Sequence, residues 1–210
     1  MSPMRMNLRS SLTAFLLCLL STMVHAQWDV EGRLLQWKAS APSSWIGGNS
    51  SQIATVKGQL RSQGSSLIKL MDELWYKSRT VDAYLTSMDV SGVKTGIASR
   101  IVFDVANREF SSEYFTSETW EALASTPLDG YPQSSSTEFL GANAPSIGGK
   151  PSNCATFVTT MPSQRFAYDV LCFVHIGQGK THMIKFRTDG SKWDEHLNEL
   201  NSILGTLRYY

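Results

Sequence analysis

The sequence lacks any block of like-charged residues, and this absence limits the partners that it can bind. It contains 19 basic and 18 acidic residues, which gives a formal net charge of +1 at pH 7. Proteins that bind nucleic acids or anionic lipid surfaces depend on clustered lysines and arginines. We therefore expect neither nucleic acid nor an anionic membrane surface as a partner.

Long apolar runs are also absent beyond the first 26 residues. A helix needs about 20 mainly apolar residues to span a bilayer, and no later stretch approaches that length. At the N-terminus, basic residues flank an apolar run over 12–20, and Val24 and Ala26 offer a signal-peptidase site. This pattern predicts a secretory signal peptide over 1–26, cleaved after Ala26. We expect a single periplasmic or secreted domain over 27–210, without stable membrane insertion.

Motifs of catalytic and metal-binding sites are missing as well. The sequence has neither a G-x-S-x-G nucleophile elbow nor an H-E-x-x-H zinc motif. The stretch 177–181 (GQGKT) resembles the end of a P-loop, but Val174 stands where a P-loop has glycine, so we expect a hairpin turn. A three-residue turn over 177–179 would place His175 and His182 on opposite faces of a sheet, unable to share a metal ion. We predict a protein that is not an enzyme, with no catalytic residue, metal site or cofactor.

Helical periodicity occurs in three places. Apolar residues spaced along one helical face predict a helix over 65–75, a short helix over 117–125 and a final helix over 192–204. A capping box that begins at Ser191 is expected to start the final helix, and Gly205 to end it.

Strand-like segments and loop-like segments fill the rest of the chain. The segments that favour strands are 33–39, 81–88, 96–106, 154–161, 166–176 and 181–188. The last three are expected to form consecutive antiparallel strands. The segments 126–137 and 141–153 are rich in Gly, Pro, Ser and Asn and are predicted as surface loops.

The three cysteines leave one pair, Cys154 and Cys172, after removal of the signal peptide. In an oxidising compartment an even pair most simply forms one disulfide; two free buried thiols are the alternative. If 162–164 is a three-residue hairpin loop, Cys154 stands directly opposite Cys172, within reach of such a bond. We favour a structural disulfide over a redox centre.

The order of these elements resembles the PsbP-like fold over residues 97–208. A helix over 117–125 leads to the loop 148–151 (GGKP), three antiparallel strands follow, and the final helix ends in 203–208 (ILGTLR). The early turn 41–45 (APSSW) is similar to the Pro-x-x-Trp turn of that family. The resemblance implies an α+β fold in which an antiparallel sheet is sandwiched between helices.

The resemblance leaves the function open. Members of the family range from an extrinsic photosystem II subunit to a Ran-binding protein and small exported bacterial proteins, and no catalytic residue set carries over. We expect a non-catalytic protein that binds another protein in the periplasm, in one version an inhibitor or immunity protein against a delivered toxin or hydrolase. The predicted contact surface is the loops 126–137 and 141–153. The alternative is a small-ligand-binding module or weak enzyme that uses a cleft between the sheet and a helical insertion at 52–95.

Overall fold

The computed structural model of the protein describes residues 27–61, 80–89, 97–125, 131 and 134–210. The predicted signal peptide and the helix predicted over 65–75 lie outside the described residues, as does most of the predicted loop 126–137. No helix within the described ranges is long and apolar enough to cross a membrane.

Eleven strands and three α-helices occur within the described residues. The strands are β1 (Gln27–Glu31), β2 (Trp37–Pro42), β3 (Trp45–Gly48), β4 (Val81–Ser87), β5 (Arg100–Ala106), β6 (Ser136–Asn143), β7 (Ser146–Ile147), β8 (Lys150–Thr160), β9 (Phe166–Gly177), β10 (Lys180–Asp189) and β11 (Arg208–Tyr209). The helices are α1 (Ser50–Arg61), α2 (Ser117–Ala124) and α3 (Trp193–Thr206).

The strands form two antiparallel sheets, so the predicted α+β class is confirmed. The larger sheet has eight strands in the order β3-β4-β5-β10-β9-β8-β6, with β7 paired to β8. The smaller sheet has the order β1-β2-β11. Because β4 lies between β3 and β5, the described part of the segment 52–95 contributes a strand to the larger sheet.

The two hairpins at the centre of the larger sheet set its register. In the first, the Met161 amide donates to the Arg165 carbonyl at 2.9 Å, and Gln164 takes a left-handed φ of 58°. This is the predicted three-residue loop. In the second, Lys180 pairs with Gly177 and the turn has two residues, so the predicted three-residue turn is wrong. A register shift after Lys180 restores the predicted pairing from the next residue onward.

Two segments that were predicted as loops are strands. β6 covers Ser136–Asn143, and β8 begins at Lys150, so most of the predicted loop 141–153 is paired backbone. The segment after the Pro-x-x-Trp turn is also a strand, Trp45–Gly48, and the strand predicted over 33–39 begins only at Trp37. Strong turn composition hid these strands, because β6 is exposed along one side and β3 is half glycine.

Apolar side chains cover both faces of the larger sheet. On one face they pack against α3 and the smaller sheet, in a cluster that includes Trp37, Ile101, Phe103, Cys154, Cys172, Val174, Ile184, Phe186, Leu200 and Ile203. On the other face a second cluster surrounds α2 and includes Phe115, Trp120, Phe139, Phe157 and Phe173. The tryptophan of α2 is 1% exposed, as its place on an apolar helical face predicted.

The final helix differs from prediction at both ends. It runs from Trp193 to Thr206 without a side-chain cap at its start. The Asp189 carboxylate instead accepts from the Ser191 amide at 3.0 Å and caps the 3₁₀ turn that precedes the helix. Gly205 lies inside the last turn, so both predicted caps are wrong.

Candidate functional site

The two edges of the larger sheet differ in length and exposure. β3 has four residues, three of which are buried, and it packs against the following helix α1. β6 has eight residues, six of which are exposed. Within the part of the chain that the structure describes, no strand pairs with the outer side of β6. Its outward backbone N–H and C=O groups are therefore open to another chain.

The inner side of β6 is fixed to the core while its outer half projects an apolar residue. The Phe139 ring lies 5.8 Å from the Phe157 ring, measured between centroids. The pairing with β8 then shifts before Gly141, which makes Leu140 the extra residue of a β-bulge. The Leu140 side chain is 50% exposed, although leucine is among the residues most often buried.

An open groove adjoins the exposed leucine. It has a volume of about 310 Å³ and is lined by Leu140, Gly141, Ala142, Asn143 and Thr156. Gly141 has a φ of +155°, which disfavours any other residue, and a side chain there would meet nothing within 4 Å. The floor of the groove is therefore backbone, which an approaching peptide can reach.

The connection from β6 to β8 is held rigidly against the C-terminal strand. The Ser152 hydroxyl donates to the Pro145 carbonyl at 2.6 Å, and Ile147 is 3% exposed. A Cβ atom at Gly148 would lie 2.7 Å from Leu207, so the backbone itself fills this contact. The predicted contact surface 141–153 is thus an ordered strand end and tight turn. We call β6 with its adjoining groove the β6 edge.

The two histidines beside the second hairpin lie on opposite faces, as the register predicted. His175 Nε2 lies 2.7 Å from Asn153 Nδ2, whereas His182 is fully buried with Nδ1 2.7 Å from the Tyr209 hydroxyl. Among the described residues, no group of three or more His, Cys, Asp or Glu is arranged to hold a metal ion.

A buried group of charged and polar side chains, which sequence reasoning missed, crosses the centre of the sheet on the face that carries α2. Arg187 Nε donates to Asp169 Oδ1 at 2.7 Å, and both residues are 8% exposed. The Tyr131 hydroxyl donates to Asp169 Oδ2 at 2.6 Å, and burial, together with the Asp169 carboxylate, raises its pKa above the ordinary range. Arg100 lies directly opposite Arg187. The predicted β9–β10 register already pairs Asp169 with Arg187, and that pairing was the available signal.

Comparison with known proteins identifies the fold only. No protein-family model matches the sequence, and no curated protein matches it. Among solved structures, the cyanobacterial PsbP (CyanoP) of Synechocystis sp. PCC 6803 superposes with a TM-score of 0.53 at 11% identity, covering 90% of this chain and 95% of that one. LpqN of Mycobacterium tuberculosis, described as involved in cell envelope biogenesis, gives a TM-score of 0.50 at 11% identity, covering 87% and 90% of the two chains.

The order of elements that suggested the resemblance is therefore present in three dimensions. The three central strands, the helix over Ser117–Ala124 and the final helix occupy the places that the sequence resemblance assigned to them. This chain has the PsbP-like fold.

Proposed function

We propose that this protein is exported, that it has no catalytic role and that it binds another protein through the β6 edge. One observation carries the proposal: the long outer strand of the sheet exposes unpaired backbone and the Leu140 side chain beside a groove. An extended segment of a partner can add to such an edge as a further strand, with main-chain hydrogen bonds supplying affinity and pockets supplying specificity.

The composition of β6 restricts which segment can bind. Edge strands are commonly protected from indiscriminate pairing by charges and bulges, and β6 has Glu138 and the bulge at Leu140. Regular pairing is therefore expected along 136–139 only. Beyond the bulge, an apolar side chain of the partner would contact Leu140 and occupy the groove.

Site-specific cross-linking tests this placement. A photo-reactive amino acid at position 140 of the exported protein should give a cross-linked product in envelope extracts, and mass spectrometry would identify the partner. The variant Leu140→Asp should reduce recovery of that same partner at least about tenfold, because one buried leucine side chain contributes on the order of 1.5–3 kcal/mol.

A matched control lies on the opposite side of the sheet. Met88 is 49% exposed, follows β4 and differs little in size from leucine. Met88→Asp introduces the same charge, so it should leave recovery unchanged, and a photo-reactive residue at 88 should give no such product. Equal recovery by Leu140→Asp and Met88→Asp would refute the β6 edge as the binding surface.

Export and the finer version of the function have their own tests. N-terminal sequencing of the secreted protein should begin at Gln27 if cleavage follows Ala26. If the partner is a toxin or hydrolase, its activity should fall when the purified protein is added in stoichiometric amount. The same loss in the presence of Leu140→Asp would argue against inhibition through this surface.

A further inference from the structure

Two arginines share a single described carboxylate on the face of the larger sheet that carries α2. Arg100 of β5 and Arg187 of β10 are directly opposed, a placement that is unfavourable between like charges. Both oxygens of the Asp169 carboxylate are engaged, one by Arg187 at 2.7 Å and the other by Tyr131 at 2.6 Å. Within the described ranges, no side chain accepts a hydrogen bond from the Arg100 guanidinium, which is half-buried.

Neighbouring charges do not remove this excess. The other cation on the same face, Lys185, pairs with Asp104, Nζ to Oδ2 2.9 Å. One carboxylate is thus left for two guanidinium groups. Burial and the positive charge of Arg187 both lower the pKa of Arg100.

A buried hydroxyl without a partner lies on the same face. Tyr84 is 1% exposed, and its hydroxyl has no hydrogen-bond partner among the described residues. Its strand partner is Val102, two residues along β5 from Arg100, so the two side chains project from the same face. Thr86, which lies nearby, donates its hydroxyl instead to the Ser99 carbonyl at 3.0 Å. An unsatisfied buried hydroxyl costs about 1–3 kcal/mol, so such groups are rare.

We propose that Arg100 and Tyr84, with Arg187 behind them, form a binding site for a small oxyanion, a carboxylate or a phosphate. Arginine is suited to such a ligand because its planar guanidinium presents paired N–H donors to two oxygens. The half-buried Arg100 forms the entrance, and the Tyr84 hydroxyl donates at the inner end. A singly charged anion balances the excess positive charge and satisfies the hydroxyl. Because β5 is four strands away from β6 in the sheet, this site is separate from the β6 edge.

Thermal unfolding of the mature protein in Tris chloride tests the site. Sodium phosphate and sodium acetate are the two probes, each compared with sodium chloride at equal ionic strength. At roughly ten times the dissociation constant, a specific anion should raise Tm by about 3 °C or more. Stabilisation by phosphate alone, acetate alone or both supports the site and identifies the ligand class.

Two variants locate the effect. Arg100→Gln should abolish the anion-dependent rise, whereas Arg33→Gln, which alters an exposed arginine, should retain it. Tyr84→Phe should reduce the rise and should also raise Tm in chloride alone, because it removes the unpaired hydroxyl; this variant decides the matter if Arg100→Gln does not fold. The site is refuted if neither anion stabilises the protein beyond chloride, or if either folded variant keeps the full response.

Discussion

Cys154 of β8 and Cys172 of β9 lie directly opposite one another and are joined by a disulfide, with their Cα atoms 4.0 Å apart. The separation corresponds to the closely spaced kind of pair in an antiparallel ladder. Both residues are buried, 5% and 2% exposed, in the core that faces α3. The bond therefore fixes the register of two central strands from within the core.

Loss of this disulfide should destabilise the protein without changing its fold. The cysteines are 18 residues apart, and closing a loop of that length stabilises by about 3 kcal/mol in the chain-entropy model. Urea unfolding of Cys154→Ala/Cys172→Ala should show a free energy of unfolding lower by about that amount. Addition of a reductant should affect the wild type but not the double variant. Recovery of two alkylatable thiols from the native exported protein would contradict a structural disulfide.

The buried Asp82 carboxylate connects β4 to the turn between β1 and β2. It accepts hydrogen bonds from the backbone amides of Arg33, Leu34 and Leu35 and from the Trp37 indole Nε1, the last at 2.7 Å. Asp82→Asn weakens these acceptors and turns an amide group toward donors. We expect the free energy of unfolding to fall by about 2 kcal/mol, because several buried donors lose a charged partner.

The matched control for Asp82 is an exposed aspartate. Asp29 is 55% exposed and pairs with Lys38 at 2.7 Å. Asp29→Asn should cost less than about 1 kcal/mol, as is typical of surface ion pairs. Chemical unfolding followed by tryptophan fluorescence measures both variants, and equal losses would contradict the role given to Asp82.

The strands that sequence reasoning placed correctly are those whose apolar pattern and turns are local. The loop 162–164 has a turn composition, and its length alone determined that Cys154 would face Cys172. The helix of Trp120 was predictable for the same reason, because its apolar residues repeat along one face.

The elements that were missed depend on contacts distant in sequence. β6 is an exposed edge with little alternation, and it is a strand because β8 supplies its hydrogen bonds. The group around Arg100 was missed because three strands and a tyrosine from a loop bring its members together. The cap predicted at Ser191 failed because Asp189 competes for the Ser191 amide.

The Pro-x-x-Trp turn is joined to the final helix through Glu199. Its Oε1 accepts from the Ser44 hydroxyl and its Oε2 from the Trp45 indole, each at 2.7 Å. Glu199→Gln should lower the free energy of unfolding by about 1–2 kcal/mol, because a charged acceptor of two bonds is replaced by a neutral one. Glu195→Gln, which removes an exposed carboxylate one turn earlier, should cost less than about 0.5 kcal/mol. Indistinguishable Tm values for the two variants would contradict this anchoring role.

The fully buried His182 should make the stability of the protein depend on pH. Its ring packs against Trp37 and Phe103, with centroid separations of 5.3 and 5.7 Å. Burial lowers its pKa from 6.5 to about 3, against the opposing effect of the Asp104 carboxylate. In the unfolded chain the same imidazole binds a proton below about pH 6.5. Between these two values the unfolded state holds more protons, so stability falls as pH falls.

The size of this effect follows from the unfolded pKa. Between about pH 8 and pH 5 the free energy of unfolding should fall by about 2 kcal/mol through His182 alone. Urea unfolding of His182→Phe at the two pH values should show a pH-dependent loss smaller by that amount, whatever the change in stability at pH 8. His175→Gln, at a half-buried histidine, should keep the wild-type dependence. If His182→Phe and the wild type lose stability in parallel as the pH falls, proton binding at His182 is not the cause, because this residue no longer titrates in the variant.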